Sequence, residues 1–280
     1  MTDRYAVLGH PVEHSRSPFI HAAFARQTGE AIAYDRLPLP LDGFDAGVRA
    51  FAASGAKGCN VTVPFKFEAA RMAGRLSDRA RMAGAVNTLR FDGPDPASWQ
   101  ADNTDGIGLL RDLQHNAGCP VRGLRVLLVG AGGSAAGVLG PLLAAAPAAV
   151  VIANRTPAKA AALVATHAAL AGAHGVALSA RGLGDCGQGF ALVINGTASS
   201  LAGDAVPVAP DVLAPGALAV DLMYGPAAAG FLRWASGHGA RGRDGLGMLV
   251  EQAAEAFALW RGVRPDTAPV LAALRAEIGA

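Results

Sequence analysis

The sequence predicts a two-domain α/β protein. With 280 residues it exceeds what one hydrophobic core usually organises. As far as Asn103, short strand-like runs alternate with helical ones. Past Gly123 the strands become continuous apolar runs between helices, which signifies a parallel sheet buried on both faces. The expected division is residues 1–105, completed by 245–280, with residues 106–244 forming a Rossmann-type domain between them.

In the first domain Tyr5-Ala-Val-Leu-Gly9, Ala31 to Leu39, Gly58 to Val63 and Val86 to Phe91 read as strands. Helices are expected at Pro18 to Gln27, Asp42 to Ala53 and Phe65 to Ala73, each bounded by Gly, Pro or a polar residue. Ser17 before Pro18 reads as an N-cap serine with proline at the first helical position. In the second domain Leu124 to Gly130, Ala148 to Ala153, Phe190 to Asn195 and Ala217 to Asp221 are strands. The alanine bias of residues 142–173 is helix-forming composition rather than disorder. Leu246 to Arg261 and Thr267 to Ile278 read as helices with no strands of their own, so they are expected to return to the first domain.

Several classes of function are excluded. Net charge is +2, acids and bases are interspersed, and the few aromatics do not interleave with a basic run, so nucleic acid is not indicated. The longest apolar stretch, around Val138 to Ile152, is broken by Gly140, Pro141 and Pro147 and does not read as a membrane span. Met1-Thr2-Asp3-Arg4 runs directly into a strand without a signal core, so a cytoplasmic protein is expected. Cys59, Cys119 and Cys186 are odd in number and far apart, which fits reduced, buried thiols. His10, His14 and His21 are kept off a common helix face by Pro11 and Pro18, so they read as structural histidines and no metal is expected.

The run Gly130-Ala131-Gly132-Gly133-Ser134-Ala135 follows a strand and opens a helix. In a chain with 36 glycines the pattern alone could be accidental; the strand and helix around it decide for a dinucleotide fingerprint. Asn154-Arg155-Thr156 ends the next strand, where a ribose-recognition residue falls in such folds. Between Asp112 and Asp185 there is no aspartate or glutamate to receive a ribose 2'-hydroxyl. Arg155 can instead grip a 2'-phosphate, with donors added by Thr156 and Lys159, so the expected cofactor is NADP rather than NAD.

In the first domain the hydroxyls of Ser15 and Ser17, at the positive end of a helix, make a small anion site suited to a carboxylate. The chain carries only three lysines, Lys57, Lys66 and Lys159, against 21 arginines. Lys66 can therefore be present for what arginine cannot do, which is release a proton. Asn87 and Asp105 add polar groups, with Asp105 at the start of an expected helix.

Taken together, Gly9-His-Pro-Val-Glu-His-Ser15-Arg-Ser17-Pro18, Asn60-Val-Thr62-Val-Pro-Phe-Lys66, Gly84-Ala-Val-Asn87-Thr-Leu, Asn103-Thr-Asp105-Gly, Gly130-Ala-Gly132-Gly133-Ser134, Asn154-Arg155-Thr156 and Asp244-Gly245-Leu-Gly-Met248-Leu-Val-Glu-Gln252 resemble the shikimate dehydrogenase family, in the family's order. The resemblance implies NADP-dependent interconversion of 3-dehydroshikimate and shikimate on the route to chorismate and the aromatic amino acids. It implies Lys66 and Asp105 as the catalytic pair, with Lys66 either a true acid/base or an electrostatic clamp. Ser15 and Ser17 would hold the carboxylate, Asn60, Thr62, Asn87 and Gln252 the ring hydroxyls, and Tyr224 would lie on the substrate side. Met223, Gly245 and Met248 would join the cofactor residues. Quinate-using relatives often carry threonine at the second serine position, so Ser17 favours shikimate. Departures are Gly-Pro-Ala after Tyr224, where relatives usually carry Thr-Pro, and Asn195-Gly196-Thr197 in place of Asn-Ala-Thr. A dual quinate/shikimate dehydrogenase and a non-catalytic sensor of the same ligands are the alternatives; a sensor is expected to lose Lys66 or Asp105. The family contains monomers and homodimers.

Overall fold

A computed structural model describes residues 2–197, 199–202 and 206–279, with the side chains of Leu201 and Ala202 set aside. Met1 and Ala280, the outer limits of the domains expected from the sequence, lie outside the described residues. The chain forms two compact units, Met1–Gly108 with Leu249–Ala280, and Leu109–Met248. The limits read from the sequence, 105/106 and 244/245, lie a few residues before these.

The first unit contains strands β1 (Asp3–Gly9), β2 (Ile32–Pro38), β3 (Gly58–Val61), β4 (Arg75–Leu76), β5 (Thr88–Arg90) and β6 (Gln100–Asp102). They form a mixed sheet in the order β2-β1-β3-β5-β6-β4, in which β5 runs antiparallel to both neighbours. Helices α1 (Ser17–Thr28), α2 (Phe44–Ala53), α3 (Lys66–Met72), α4 (Asp78–Ala83) and α5 (Asp105–Arg111) punctuate these strands. β3 ends at Val61, two residues short of the expected limit, because Phe65 N–H turns back to the Thr62 carbonyl and Pro64 has no N–H for a ladder. α2 starts at Phe44 rather than Asp42. Leu8, Val48, Phe65, Leu89 and Trp99 fill the core, with Phe44 stacked on Phe65 at 4.9 Å.

The expected capping of α1 is corrected. Ser17 is the first helical residue and Arg16 stands at the N-cap without a side-chain bond. Ser15 Oγ accepts from the Ser17 N–H at 3.3 Å, so Ser15 satisfies that donor and the Ser17 hydroxyl is released from capping.

In the second unit β7 (Arg125–Val129), α6 (Gly133–Ala144), β8 (Ala149–Ala153), α7 (Pro157–Ala173), β9 (Ala177–Arg181), β10 (Phe190–Asn195), α8 (Ser199–Ala202), β11 (Leu213–Asp221), α9 (Ala229–Gly237) and β12 (Arg241–Arg243) follow in turn. The sheet is parallel throughout, in the order β12-β11-β10-β7-β8-β9. This is the doubly wound order, with its reversal between β7 and β10. Val126, Leu128, Ile152, Leu192 and Ile194 are fully buried, as a sheet covered on both faces requires.

The chain ends with α10 (Leu246–Arg261) and α11 (Ala268–Ile278). From Leu249 onward these residues belong to the first unit. Trp260 stacks on Tyr5 at 4.5 Å and donates through Nε1 to the Leu89 carbonyl at 2.9 Å. Arg261 pairs with Asp3 and Glu30. A Cβ at Gly58 would stand 2.4 Å from the Leu89 carbonyl oxygen and 2.7 Å from Trp260 Nε1, so α10 comes this close to the sheet only because residue 58 has no side chain.

Candidate active site and cofactor loops

Lys66 opens α3 and is 8% exposed, so it is not a chance lysine on a solvated first turn. Its ammonium donates to Asp105 Oδ2 at 2.5 Å. Asp105 opens α5 and is fully buried, and its N–H is bound by Asn103 Oδ1 at 3.1 Å. An acid in the first helical turn is favoured by the helix dipole. Asp105 Oδ1 accepts from Asn87 Nδ2 at 2.8 Å. Both carboxylate oxygens are thus engaged, while the ammonium keeps N–H groups for another acceptor.

Asn87 is 3% exposed and precedes β5; its Nδ2 also lies 2.8 Å from Gln252 Oε1 on α10, and its Oδ1 accepts from the Thr104 N–H at 2.8 Å. Asn60 on β3 is tied by Nδ2 to the Asn87 carbonyl at 3.1 Å and to Thr88 Oγ1 at 3.0 Å. Lys66, Asp105, Asn87, Gln252 and Asn60 are therefore one connected cluster within the first unit. Ser15 and Ser17 are joined at 3.2 Å between hydroxyls, and Ser17 is buried. Thr62 lies against Gly9, where a Cβ would meet its Cγ2 at 2.4 Å. Residues without an individual role in the sequence reading are the supports: Tyr34 on Asn60, Thr88 and Thr104 on Asn87, and Asn103 on Asp105. Thr88 and Thr104 sit beside residues already singled out. Tyr34, inside a strand, gave no signal beyond β propensity.

In the second unit Gly130 adopts φ +111°, and a Cβ there would meet the Gly196 backbone at 3.1 Å. Only glycine suits both demands. Gly132 has open space around it, Gly133 and Ser134 open α6, and Ala135 is fully buried. The first N–H groups of such a helix have no intrahelical partner, which suits a pyrophosphate. Asn154 follows β8 and closes on the Thr156 carbonyl at 2.9 Å, while Arg155, Thr156 and Lys159 are exposed. A cradle with glycine at residues 130, 132 and 133, a helix start and an exposed basic group where no acid stands fit a dinucleotide bearing a 2'-phosphate.

Asp221 at the end of β11 is fully buried. Its carboxylate accepts from the Met223 N–H at 2.9 Å, from Asn195 Nδ2 at 3.3 Å and from the Ser200 hydroxyl. Burial raises its pKa, with these hydrogen bonds acting the other way. Gly245 N–H bonds the Met223 carbonyl at 2.8 Å, so two expected cofactor residues are joined, and Tyr224 follows half-buried. A Cβ at Gly245 would be 2.4 Å from the Leu222 carbonyl oxygen. Met248 packs in the unit's core, 5% exposed.

A doubly wound unit with a glycine-rich phosphate loop, together with a buried amine and carboxylate among amides in the other unit, defines the dinucleotide-binding two-unit α/β proteins. Family models match residues 7–89 (shikimate dehydrogenase substrate binding domain), 113–201 (shikimate / quinate 5-dehydrogenase) and 245–275 (shikimate 5'-dehydrogenase C-terminal domain). The shikimate dehydrogenase (NADP(+)) of Methylibium petroleiphilum is 65% identical, covering 99% of this chain and 95% of its own. Among solved structures, an Ael1 enzyme from Pseudomonas putida is 48% identical with a TM-score of 0.86, covering 98% of each chain. The Thermus thermophilus shikimate 5-dehydrogenase in complex with NADP(H) and shikimate is 31% identical with a TM-score of 0.81, covering 98% of this chain and 99% of that one. The chain belongs to the shikimate dehydrogenase family.

Proposed function

We propose that this chain is an NADP-dependent shikimate dehydrogenase, interconverting 3-dehydroshikimate and shikimate in the cytoplasm. The observation that carries the reading is the Lys66 ammonium bound to Asp105 inside a buried cluster with Asn87, Gln252 and Asn60. The names of the relatives, which state NADP(+) and shikimate, support it. Residues 1–105 with 245–280 would bind substrate, and residues 106–244 would bind NADP.

Gly130, Ala131, Gly132, Gly133, Ser134 and Ala135 would hold the pyrophosphate. Arg155, with Asn154, Thr156 and Lys159, would hold the 2'-phosphate, and Met223, Gly245 and Met248 the nicotinamide end. Held there, NADPH would supply the hydride for the ring ketone. Ser15 and Ser17 would fix the substrate carboxylate, Asn60, Thr62, Asn87 and Gln252 would orient the ring hydroxyls, and Tyr224 would lie on the substrate side. Lys66 gives a hydrogen bond and then a proton to the oxygen on which charge develops, the role of an acid placed where it is needed only in the transition state. Asp105 holds the ammonium through Oδ2 and is itself held by Asn87 through Oδ1. In the oxidative direction Lys66 takes that proton back.

A second reading, use of quinate as well, is favoured by the family description matching residues 113–201. Quinate carries an additional hydroxyl beside its carboxylate, and the relatives that use it often carry threonine where this chain has Ser17. Purified protein mixed with NADP and shikimate should raise absorbance at the NADPH band, with kcat/KM for shikimate above that for quinate. Comparable values would make this a dual-substrate enzyme, and no turnover of shikimate would overturn the reading.

A further inference from the structure

Behind the amides of Asn60 and Asn87 runs a row of hydrogen bonds that the reaction above does not use. Its sense is fixed from one end. Asp105, bound to an ammonium, accepts, so Asn87 donates to it through Nδ2. Asn87 Oδ1 is thereby turned the other way, where it accepts from the Thr88 hydroxyl at 2.9 Å. Thr88 has a single hydroxyl proton and gives it to Asn87, so towards Asn60 it can only accept, from Nδ2 at 3.0 Å. The Asn87 carbonyl, also an acceptor only, holds the same Nδ2 at 3.1 Å, so the Asn60 amide cannot turn over without losing both bonds. Asn60 Oδ1 is left facing Tyr34, whose phenol donates to it at 2.7 Å. Thr88 is fully buried and Tyr34 is 8% exposed. The Tyr34 ring is stacked on His21 at 4.2 Å, which fixes its plane. Burial keeps the phenol protonated by raising its pKa, with hydrogen bonding from Ser17 opposing.

We propose that Tyr34 and Thr88 are positioning residues for the substrate site. The single-sense row from Tyr34 through Asn60, Thr88 and Asn87 to Asp105 presets both amides and the carboxylate in the orientation that the substrate meets. The proposal rests on the reading of the chain as a shikimate dehydrogenase. Both residues are buried, and each bonds an asparagine whose side chain could otherwise present either its oxygen or its nitrogen to a ring hydroxyl. Preset amides lower the cost of ordering the site when substrate binds, so the expected signature is on KM rather than on the chemical step.

Tyr34→Phe and Thr88→Val each remove one hydroxyl with little change of shape, while Thr88→Ser keeps it. In steady-state oxidation of shikimate, each of the first two is expected to raise KM for shikimate about tenfold, the effect of leaving a buried polar group unpaired, with kcat within about threefold and KM for NADP unchanged. Thr88→Ser should return KM to within about twofold of the parent, since its hydroxyl can serve the same two asparagines. Because the two residues are joined through Asn60, the double variant should raise KM far less than the product of the single effects. The same shortfall is expected in the unfolding equilibrium measured in urea. KM effects that multiply, unfolding effects that add, or a folded Thr88→Ser protein no better than Thr88→Val would each overturn the row. A parent protein that does not turn over shikimate would instead overturn the functional reading, and the urea cycle would still decide the row.

Discussion

Substituting Gly58 by alanine tests how the last long helix is seated against the substrate unit. The new methyl carbon would stand 2.4 Å from the Leu89 carbonyl oxygen and 2.7 Å from Trp260 Nε1. Gly58 pairs with Arg90 across the β3–β5 ladder, so neither strand can move aside without losing register. The indole must then retreat and its 2.9 Å bond to Leu89 must break. Overpacking costs about 1–3 kcal/mol. A buried carbonyl left without its donor costs about 1–3 kcal/mol more. The expected loss is therefore about 2–6 kcal/mol, which at about 2–4 °C per kcal/mol lowers the melting temperature by roughly 4–24 °C. Because α10 also carries Gln252, which meets Asn87, KM for shikimate should rise in the protein that remains folded. Scanning calorimetry reads the first effect and steady-state kinetics the second. A melting temperature within about 2 °C of the parent, corresponding to no more than about 1 kcal/mol, would refute the close approach.

Gly196→Ala is the contrasting case. A Cβ there meets Val129 O, Ala135 Cβ and Leu222 Cδ1 at 3.4–3.5 Å, ordinary contact distances, and the backbone is outside the left-handed region. Stability should be unchanged or raised by about 0.4–1 kcal/mol through the less flexible unfolded chain, and a loss above about 1 kcal/mol in urea titration would contradict the packing around β10. Arg155→Ala should weaken NADP binding by about 1.5–3 kcal/mol while leaving NAD binding unaltered. Unchanged NADP affinity by fluorescence titration would remove Arg155 from the cofactor site. His21 is fully buried, and burial pushes its pKa down to about 3 from 6.5. Its folded form therefore binds fewer protons than its unfolded form between these values, and stability falls as pH drops from 6.5 towards about 3. The loss approaches tenfold in the folding constant per pH unit. His21→Phe should flatten this fall; an unaltered slope in acid titration would show that His21 is not the source.

Much of the cofactor unit was legible because its signals are local. The strand before Gly130, the glycines themselves and the absence of acids between Asp112 and Asp185 can all be read without knowing what lies across the sheet. The short edge elements were not. β4 has two residues, too few for any period, and β12 is Arg-Gly-Arg, which lacks β-forming side chains. β9, Ala-Leu-Ser-Ala-Arg, has mostly small residues and is drawn into the sheet by pairing with β8. The Ser15–Ser17 turn shows the other limit, since a serine before a proline reads equally as a cap or as the first helical residue. That choice was set by the Ser15 hydroxyl two residues earlier. In the candidate site the motif residues stood out by type, whereas the part that Tyr34, Asn103 and Thr104 play as supports depends on which side chains the sheet brings together.

The proposed reaction depends above all on the Lys66 amine meeting the reacting oxygen. Lys66→Met keeps an unbranched side chain about as long as the lysine stem and removes the amine with its proton and charge. Turnover of shikimate with NADP at saturating substrate should fall by about 100-fold or more, with a smaller change in KM, the mark of a group used in the transition state. Near-parental kcat in the folded variant would contradict the account.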